Sequence, residues 1–361
     1  MSLWSISFAY RLGLGFHALN NEGADGSNLM QPRRIDVGSV TYDGISGEII
    51  RRHILENFVD ICQDRQPPIS LLPFSAGIHP DRGPIGIRAA AKTLGEAELT
   101  DSNLYRSVRR AITDCAVLDV GGYLAAWKEQ EDGTPEKKGY VAEKHYIDST
   151  CANYKDAQPI KRESCFDVAW LISEEPQDLT VTQHSAFRDT FEMNSRYAQT
   201  MRTNVYGGVI RADLHRIGTD DYWYLQDGPP SRLAIGADEQ MRRQQALIES
   251  IGNFIASPTG AKVAGWAPHV FKTEGAILLS SSRTAPFVSP LTVNLSDQDN
   301  PVRPNPAYST EMEALENSTD TWAWAFKDAK SLIVAVNGVS ERLMGKTDEE
   351  GNANNRSEPK R

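Results

Sequence analysis

The stretch WSISFAYRLGLGFHA, residues 4–18, governs how the rest of the chain is read. Its even positions are Trp4, Ile6, Phe8, Tyr10, Leu12, Leu14, Phe16 and Ala18, and its odd positions are Ser5, Ser7, Ala9, Arg11, Gly13, Gly15 and His17. A period of two sustained over that length is a β-strand with one face fit for a core. The other face is small and polar, and its glycines let a second backbone or a ligand come close to the sheet. This reading turns Phe16 inward and leaves His17 on the polar face.

The strand runs into FHALNNEGADGSNLMQPRRI (16–35), which passes from two asparagines through scattered glycines to two arginines and reads as a loop. GISGEIIRRHILENFVDI (44–61) then carries Ile50, Ile54, Phe58 and Ile61 at helical spacing, with Ser46 available as a cap. Residues 66–100 are broken by prolines and glycines and read as an irregular insertion. NLYRSVRRAIT (103–113) looks helical, AVLDVGGYLAAW (116–127) reads as a strand or a turn-containing edge, and 129–139 is a charged loop.

Two further strands are expected in FDVAWLIS (166–173) and VYGGVIRADLHRIG (205–218). The polar stretch between them is far longer than a hairpin turn needs, and loops above ~15 residues tend to be functional or disordered. Phe187, Phe191, Met193, Tyr197 and Met201 within it argue for an ordered projection. The segment 237–258 places Met241, Leu247, Ile248, Ile251, Phe254 and Ile255 on one helical stripe ended by Pro258, and AILLSSS (276–282) supplies a fourth strand. Strand, helix, strand, strand, helix, strand is the split βαβ pattern of ferredoxin-like and RNA-recognition folds, so an α+β fold is expected. After it, TWAWAF is expected in a helix, SLIVAV in a short strand, and 345–361 in a disordered polar tail.

A chain of 361 residues buries a real core. Cysteines at 62, 115, 151 and 165 have neither zinc-site spacing nor the pattern of a secreted disulfide framework, and no apolar run approaches the ~20 residues that span a bilayer. A cytoplasmic protein is expected. The formal net charge of −10 argues against a uniformly basic, nucleic-acid-coating surface but leaves room for a basic groove. Basic residues do cluster, at Arg33-Arg34, Arg51-Arg52-His53, Arg106 with Arg109-Arg110, Lys161-Arg162 and Arg242-Arg243. Solvated helix faces are the ordinary reading of such pairs.

Nothing marks an active site. A nucleophile elbow, a phosphate-binding P-loop and a dinucleotide fingerprint are missing, and the seven histidines are scattered. Asp25 and Asp36 form only a weak metal-binding pattern, so neither a catalytic residue nor a metal is assigned. The residues around the first strand suit a sugar-phosphate chain instead. Asn20 and Asn21 offer amide donors, Arg33, Arg34, Arg51 and Arg52 offer phosphate-neutralising charge, and Ser46 with the helix start offers a further donor set. Simple turn chemistry accounts for the asparagines and glycines equally well.

SISFAYRLGLGFHALNNEG followed by ISGEIIRRH resembles the opening of the DevR-like CRISPR-associated backbone proteins, the repeated subunit of type I Cascade complexes. VYGGVIRADLHRIG resembles the strand after that family's thumb, RRQQALIESIGNFIASPTGAKVAGWAPH its second helix with a Gly-Ala-Lys turn, and SSSRTAPFVSPL the segment after its last palm strand. The resemblance implies a right-hand shape: an RRM-like palm over 1–65 and 166–300, a finger-like insertion over 66–165, a thumb hairpin over 174–204, and a C-terminal helix and strand over 301–344. It implies a non-catalytic subunit without a cofactor that oligomerises along the guide region of crRNA and presents it to target DNA.

Partners implied are crRNA, target DNA, copies of the same chain and other Cascade subunits: a large subunit, a Cas-five-like cap and a Cas-six-like endonuclease. A helicase-nuclease or transposition proteins would act downstream. Asn20, Asn21, Arg33, Arg34, Ser46, Arg51, Arg52 and Lys262 become RNA-contact candidates, and one of Phe187, Met193 or Met201 becomes the thumb group that displaces a base. Glu22, Asp25 and Glu48 stand beside these groups, where relatives place more lysines. Two variants of the reading remain: a type III-like subunit that cuts target RNA through Asp25, and a subunit of a CRISPR-associated transposon. A standalone RRM-type regulator is a third possibility.

Overall fold

Ile6, Phe8, Tyr10, Leu12 and Leu14 are fully buried, so the alternation that defines the first strand also makes it the spine of the molecule. The computed structural model describes residues 4–19, 21–22, 29–71, 108–109, 111–125, 128–129, 135–136, 160–176, 179–186, 195–225, 231–258, 269–308, 311 and 320–345. In chain order the strands are β1 (Ser5–His17), β2 (Asn21–Glu22), β3 (Leu29–Val37), β4 (Val40–Ile45), β5 (Tyr123–Ala125), β6 (Lys128–Glu129), β7 (Pro135–Glu136) and β8 (Ile160–Arg162). They continue with β9 (Phe166–Val168), β10 (Leu171–Pro176), β11 (Leu179–Ala186), β12 (Ser195–Ala212), β13 (Val270–Ser280), β14 (Leu291–Val293), β15 (Val302–Pro304) and β16 (Thr321–Phe326). The helices are α1 (Gly47–Asp64), α2 (Ala116–Gly121), α3 (Ala237–Ala256) and α4 (Ala329–Leu343).

The main sheet runs β16-β13-β1-β12-β10-β4-β3-β2, with β9 and β11 also paired to β12. β1 lies between β12 and β13 and is antiparallel to both; Phe8 stands opposite Ile210 on one side and Ile277 on the other. The sheet is antiparallel apart from a short parallel contact of β12 with β3. Helices cover one face. Ile50, Ile54 and Phe58 of α1 and Leu247, Ile251 and Phe254 of α3 close the core over β1, and α4 packs on α3. Removing a ring such as Phe58 or Phe254 would cost about 3–5 kcal/mol.

The polar face of β1 is met by the protein's own backbone. Ser5 donates to the Ser282 carbonyl at 2.9 Å, Ser7 to the Pro286 carbonyl at 2.5 Å, and the Tyr308 hydroxyl to the Ala9 carbonyl at 2.9 Å. Segment 282–308, including the β14–β15 pair, therefore roofs much of that face, and Leu291 fills the space above Gly207.

Several expectations are corrected. TWAWAF is strand β16 rather than helix, because Trp322, Trp324 and Phe326 alternate toward the helices while Ala323 packs on the other face beside Tyr308. SLIVAV lies in helix α4 rather than a strand: Asp328 accepts from the Ser331 amide at 2.7 Å in a capping box, and Leu332, Ala335, Val336 and Val339 are buried at helical spacing. The 116–127 segment opens as a helical turn, α2, stopped by Gly122 at φ 69°, before β5 begins. The supposed loop 16–35 contains β2 and most of β3, and β3 pairs with β4 as a hairpin. The finger-like insertion and the tail fall largely outside the described residues.

The alternation in β1 also breaks at its end. Phe16 has φ 47° and is 54 % exposed, while His17 is fully buried, the reverse of the periodic reading. Pairing with β12 shifts register between Leu14 and His17, so a bulge inverts the two faces. Among the described residues, no helix is long and apolar enough to cross a membrane.

Candidate nucleic-acid interface

Inverting His17 delivers its imidazole into a buried polar network. His17 Nε2 lies 2.8 Å from the Tyr206 hydroxyl, and the Leu19 amide donates to His17 Nδ1 at 3.3 Å. Tyr206 donates to one carboxylate oxygen of Asp43, Arg202 donates to the other, and Arg202 also donates to the Leu19 carbonyl. The Asp43 amide donates to Ser173 Oγ at 3.0 Å. Since the tyrosine proton points at Asp43, His17 donates through Nε2 and accepts through Nδ1, which makes it the neutral tautomer. Burial holds its pKa well below the ordinary value, and the Arg202 charge adds to this. Burial raises the Asp43 carboxyl, against the pull of Arg202 and Tyr206, and burial likewise raises the Tyr206 phenol well above its usual range.

The network has a positional consequence. His17 ends β1, Asp43 sits in the β3–β4 hairpin, and Arg202 and Tyr206 belong to β12, so the chain entering Asn20, the hairpin and the long β11–β12 hairpin are tied at one point of the sheet. β11 pairs with β12 from Leu179 opposite Arg202 to Ala186 opposite Ser195.

Of the RNA-contact candidates, Arg33 and Arg34 lie on β3. Arg34 is exposed, and the Arg33 guanidinium sits 5.3 Å from the centre of the partly exposed Trp170 ring. Arg52 is half-buried and pairs with Glu56 at 3.0 Å, one helical turn on. Arg51 points elsewhere: it donates to the Gly121 carbonyl and lies 5.7 Å from the Phe166 ring, and burial lowers its pKa from the usual guanidinium value. Ser46 occupies the N-cap position of α1 but is 3 % exposed. Asn21 is paired through its backbone to Pro32. Asn20, Asp25 and Lys262 lie outside the described residues.

Among the thumb candidates, Met201 is buried at 2 % exposure, which leaves it no surface to wedge against a base. Phe187 and Met193 lie outside the described residues. Trp170, beside Arg33, was missed; it sits in a strand-like run, where its exposure cannot be told from periodicity.

Two basic pairs expected on solvated faces, Lys161-Arg162 and Arg242-Arg243, are partly interior. Arg162 and Arg243 are buried and both donate to Asp119, at 2.7 and 3.0 Å. Arg162 also reaches Asp221 at 2.8 Å, and Arg243 reaches Glu239 at 3.1 Å. The nearby Cys165 thiol is pushed up to about 12 by burial, as is that of Cys62, so neither supplies a thiolate nucleophile at neutral pH. Among the described residues no group of three or more His, Cys, Asp or Glu is placed to hold a metal ion. Asp36 accepts from Thr41 at 2.7 Å in the exposed hairpin.

The sequence from residue 8 to 299 matches the family described as CRISPR-associated negative auto-regulator DevR/Csa2. The chain belongs to this CRISPR-associated family. Its DevR/Csa2 match takes in most of β1, the buried network, both hairpins, α3 and the first part of the roof segment, and ends before β15, β16 and α4. Among curated proteins none matches the sequence. Two solved structures are similar in outline: a "CRISPR RNA-guided surveillance complex, pre-nicking" chain, with TM-score 0.41 and 11 % identity over 79 % of this chain and 80 % of that one, and a "CRISPR RNA-guided surveillance complex" chain. The second has TM-score 0.43 and 9 % identity, over 94 % of this chain and 99 % of that one.

Proposed function

We propose that this DevR/Csa2 protein is a non-catalytic backbone subunit of a type I CRISPR effector, oligomerising along the guide region of crRNA and presenting it to target DNA. The observation that carries the reading is the buried Asp43–Arg202–Tyr206–His17 network. It roots the Asn20 segment, the arginine-bearing β3–β4 hairpin and the β11–β12 hairpin at one place, a rigid base for holding a flexible polyanion. The palm is RRM-like in this reading, supported by the strand order β13-β1-β12-β10, in which the strands adjoining the two crossovers lie as fourth, first, third and second. The β11–β12 hairpin belongs to the thumb (174–204), and residues 66–165 form the fingers. RNA contacts fall to Asn20, Asn21, Arg33, Arg34, Arg52 and Lys262, with Phe187 or Met193 against the displaced base; Ser46 and Arg51 act inside the fold.

Copies of the chain, crRNA, a large subunit and cap and processing subunits are the partners, and target DNA joins by pairing with the guide. The test is to mix the purified chain with guide-length single-stranded RNAs of several lengths. Particle mass should grow stepwise with RNA length, affinity should fall steeply with salt because phosphate contacts release counterions, and complementary RNA with magnesium should stay uncut. A particle of constant size on every RNA would refute the backbone role.

A further inference from the structure

Phe16 is the position where β1 departs most from what its sequence dictates. A bulky side chain in the left-handed region is strained, and among the described residues no other non-glycine takes a positive φ. The strain leaves the ring 54 % exposed instead of buried in the core. The conformation is held from both neighbouring strands: the Phe16 amide donates to Thr203 Oγ1 at 3.0 Å, and the Gly15 amide donates to the His269 carbonyl at 2.7 Å. On its far side, His17 is locked into the buried network.

A second aromatic stands at the same end of the paired strands. Phe271 of β13 is 50 % exposed and lies across Gly13, where a Cβ would meet its ring at 2.6 Å. The glycine is therefore what lets that ring lie flat on the strand. The described surroundings are polar: Thr203 is exposed, and Lys272 is partly exposed and 3.4 Å from Glu274. A protein hot spot needs a ring of water-excluding contacts around its aromatic. A nucleobase needs only one π-face with polar and cationic groups beside it.

We infer that Phe16, at the same sheet end as Phe271, is a stacking platform for an unpaired base of the RNA that this end of the sheet holds. The inference rests on the RNA-binding reading above and adds a base contact on the sheet to the phosphate contacts and the thumb's base-displacing group proposed there. Stacking on an aromatic face tolerates any base, so the platform orders the strand without selecting its sequence.

The experiment compares full-length wild type, Phe16→Gly, Phe16→Ala and Phe16→Tyr on two probes: a mixed-sequence single-stranded RNA, and an oligomer of equal length whose central residues are abasic. Phe16→Gly and Phe16→Ala should lose roughly 5- to 150-fold in affinity for the base-bearing RNA and change little on the abasic chain, while Phe16→Tyr stays within about twofold of wild type. The Phe16→Gly melting temperature should be no lower than that of wild type, since glycine takes φ 47° without strain. Equal losses on both probes, or none on either, with wild type still binding RNA, overturn the stacking platform alone. A wild type that binds neither probe overturns the RNA-holding reading and the platform with it.

Discussion

Two buried charge networks, one among α2, α3 and β8 and one where β1 meets the β3–β4 and β11–β12 hairpins, are built to different rules. In the first, Asp119 takes bonds from Arg162, Arg243 and the Gly218 amide, while Asp221 and Glu239 each engage one of the guanidiniums. Its members are three carboxylates and two guanidiniums, joined side chain to side chain. In the second, one arginine and one aspartate are completed by a neutral histidine and a phenol. The first network joins helices α2 and α3 to β8; the second ties the β3–β4 and β11–β12 pairs to β1 through a histidine, a phenol and a carboxylate whose pKa values burial displaces.

The largest expected effect tests that contrast on the Asp119 side. Asp119→Leu strands two fully buried guanidiniums and should cost about 3–5 kcal/mol, the range for breaking a buried pair from one side. Denaturant unfolding would read it, and a loss under 1 kcal/mol would mean that Asp221 and Glu239 alone satisfy both arginines. Arg202→Met should cost somewhat less, about 2–4 kcal/mol, because Asp43 keeps the Tyr206 bond and its raised pKa lets it take up a proton. The same substitution frees the Leu19 carbonyl, so amide exchange should rise at the root of the Asn20 segment and stay unchanged around Asp119.

Acid sharpens the comparison further. His17 is neutral in the fold, with a pKa well below its unfolded value near 6.5, so the unfolded chain binds the extra proton as pH falls. The stability it contributes is complete above about pH 6.5 and drains at about 1.4 kcal/mol per pH unit as pH falls toward the folded pKa. Asp43 acts with the opposite sign, because its raised folded pKa makes the native state the better proton binder between that value and the unfolded one. Unfolding midpoints measured from pH 7.5 to 5 should therefore drop in wild type and drop less in His17→Gln, whose amide can donate and accept in the same places. An identical slope in both would remove His17 as the source.

How much of this the sequence disclosed depended on range. Strands β1, β12 and β13 and helices α1 and α3 were legible, because their apolar positions repeat at period two or 3.6 over many residues. TWAWAF and SLIVAV were exchanged because a six-residue apolar run satisfies either period, although the Asp328–Ser331 cap pointed to the helix. The Phe16–His17 inversion was hidden: a bulge there needs a left-handed residue, and Gly15, the residue suited to it, is one place early. Arg243 could have been placed inside, since it shares the stripe of Leu247, Ile251 and Phe254. Arg202 could not, because its partners Asp43 and Leu19 are brought to it only by sheet pairing.

The smallest expected effect separates arginines within the proposed interface. Arg34 is exposed on β3, and Arg51, seventeen residues further along the chain, is turned inward onto the Gly121 carbonyl and the Phe166 ring. Arg34→Ala should leave unfolding within about 0.5 kcal/mol of wild type yet lower RNA affinity, flattening the slope of log affinity against log salt by about 0.7 for one lost single-strand phosphate contact. Arg51→Ala should do the reverse, losing about 1–3 kcal/mol of stability with the salt slope intact. Arg33→Ala falls between them, since its guanidinium both stacks on Trp170, worth about 0.5–1 kcal/mol at an exposed site, and faces the same hairpin surface. If Arg51→Ala flattens the salt slope and Arg34→Ala does not, then α1 rather than the β3–β4 hairpin carries the phosphate, and the proposed guide path crosses the helix start instead of the sheet edge.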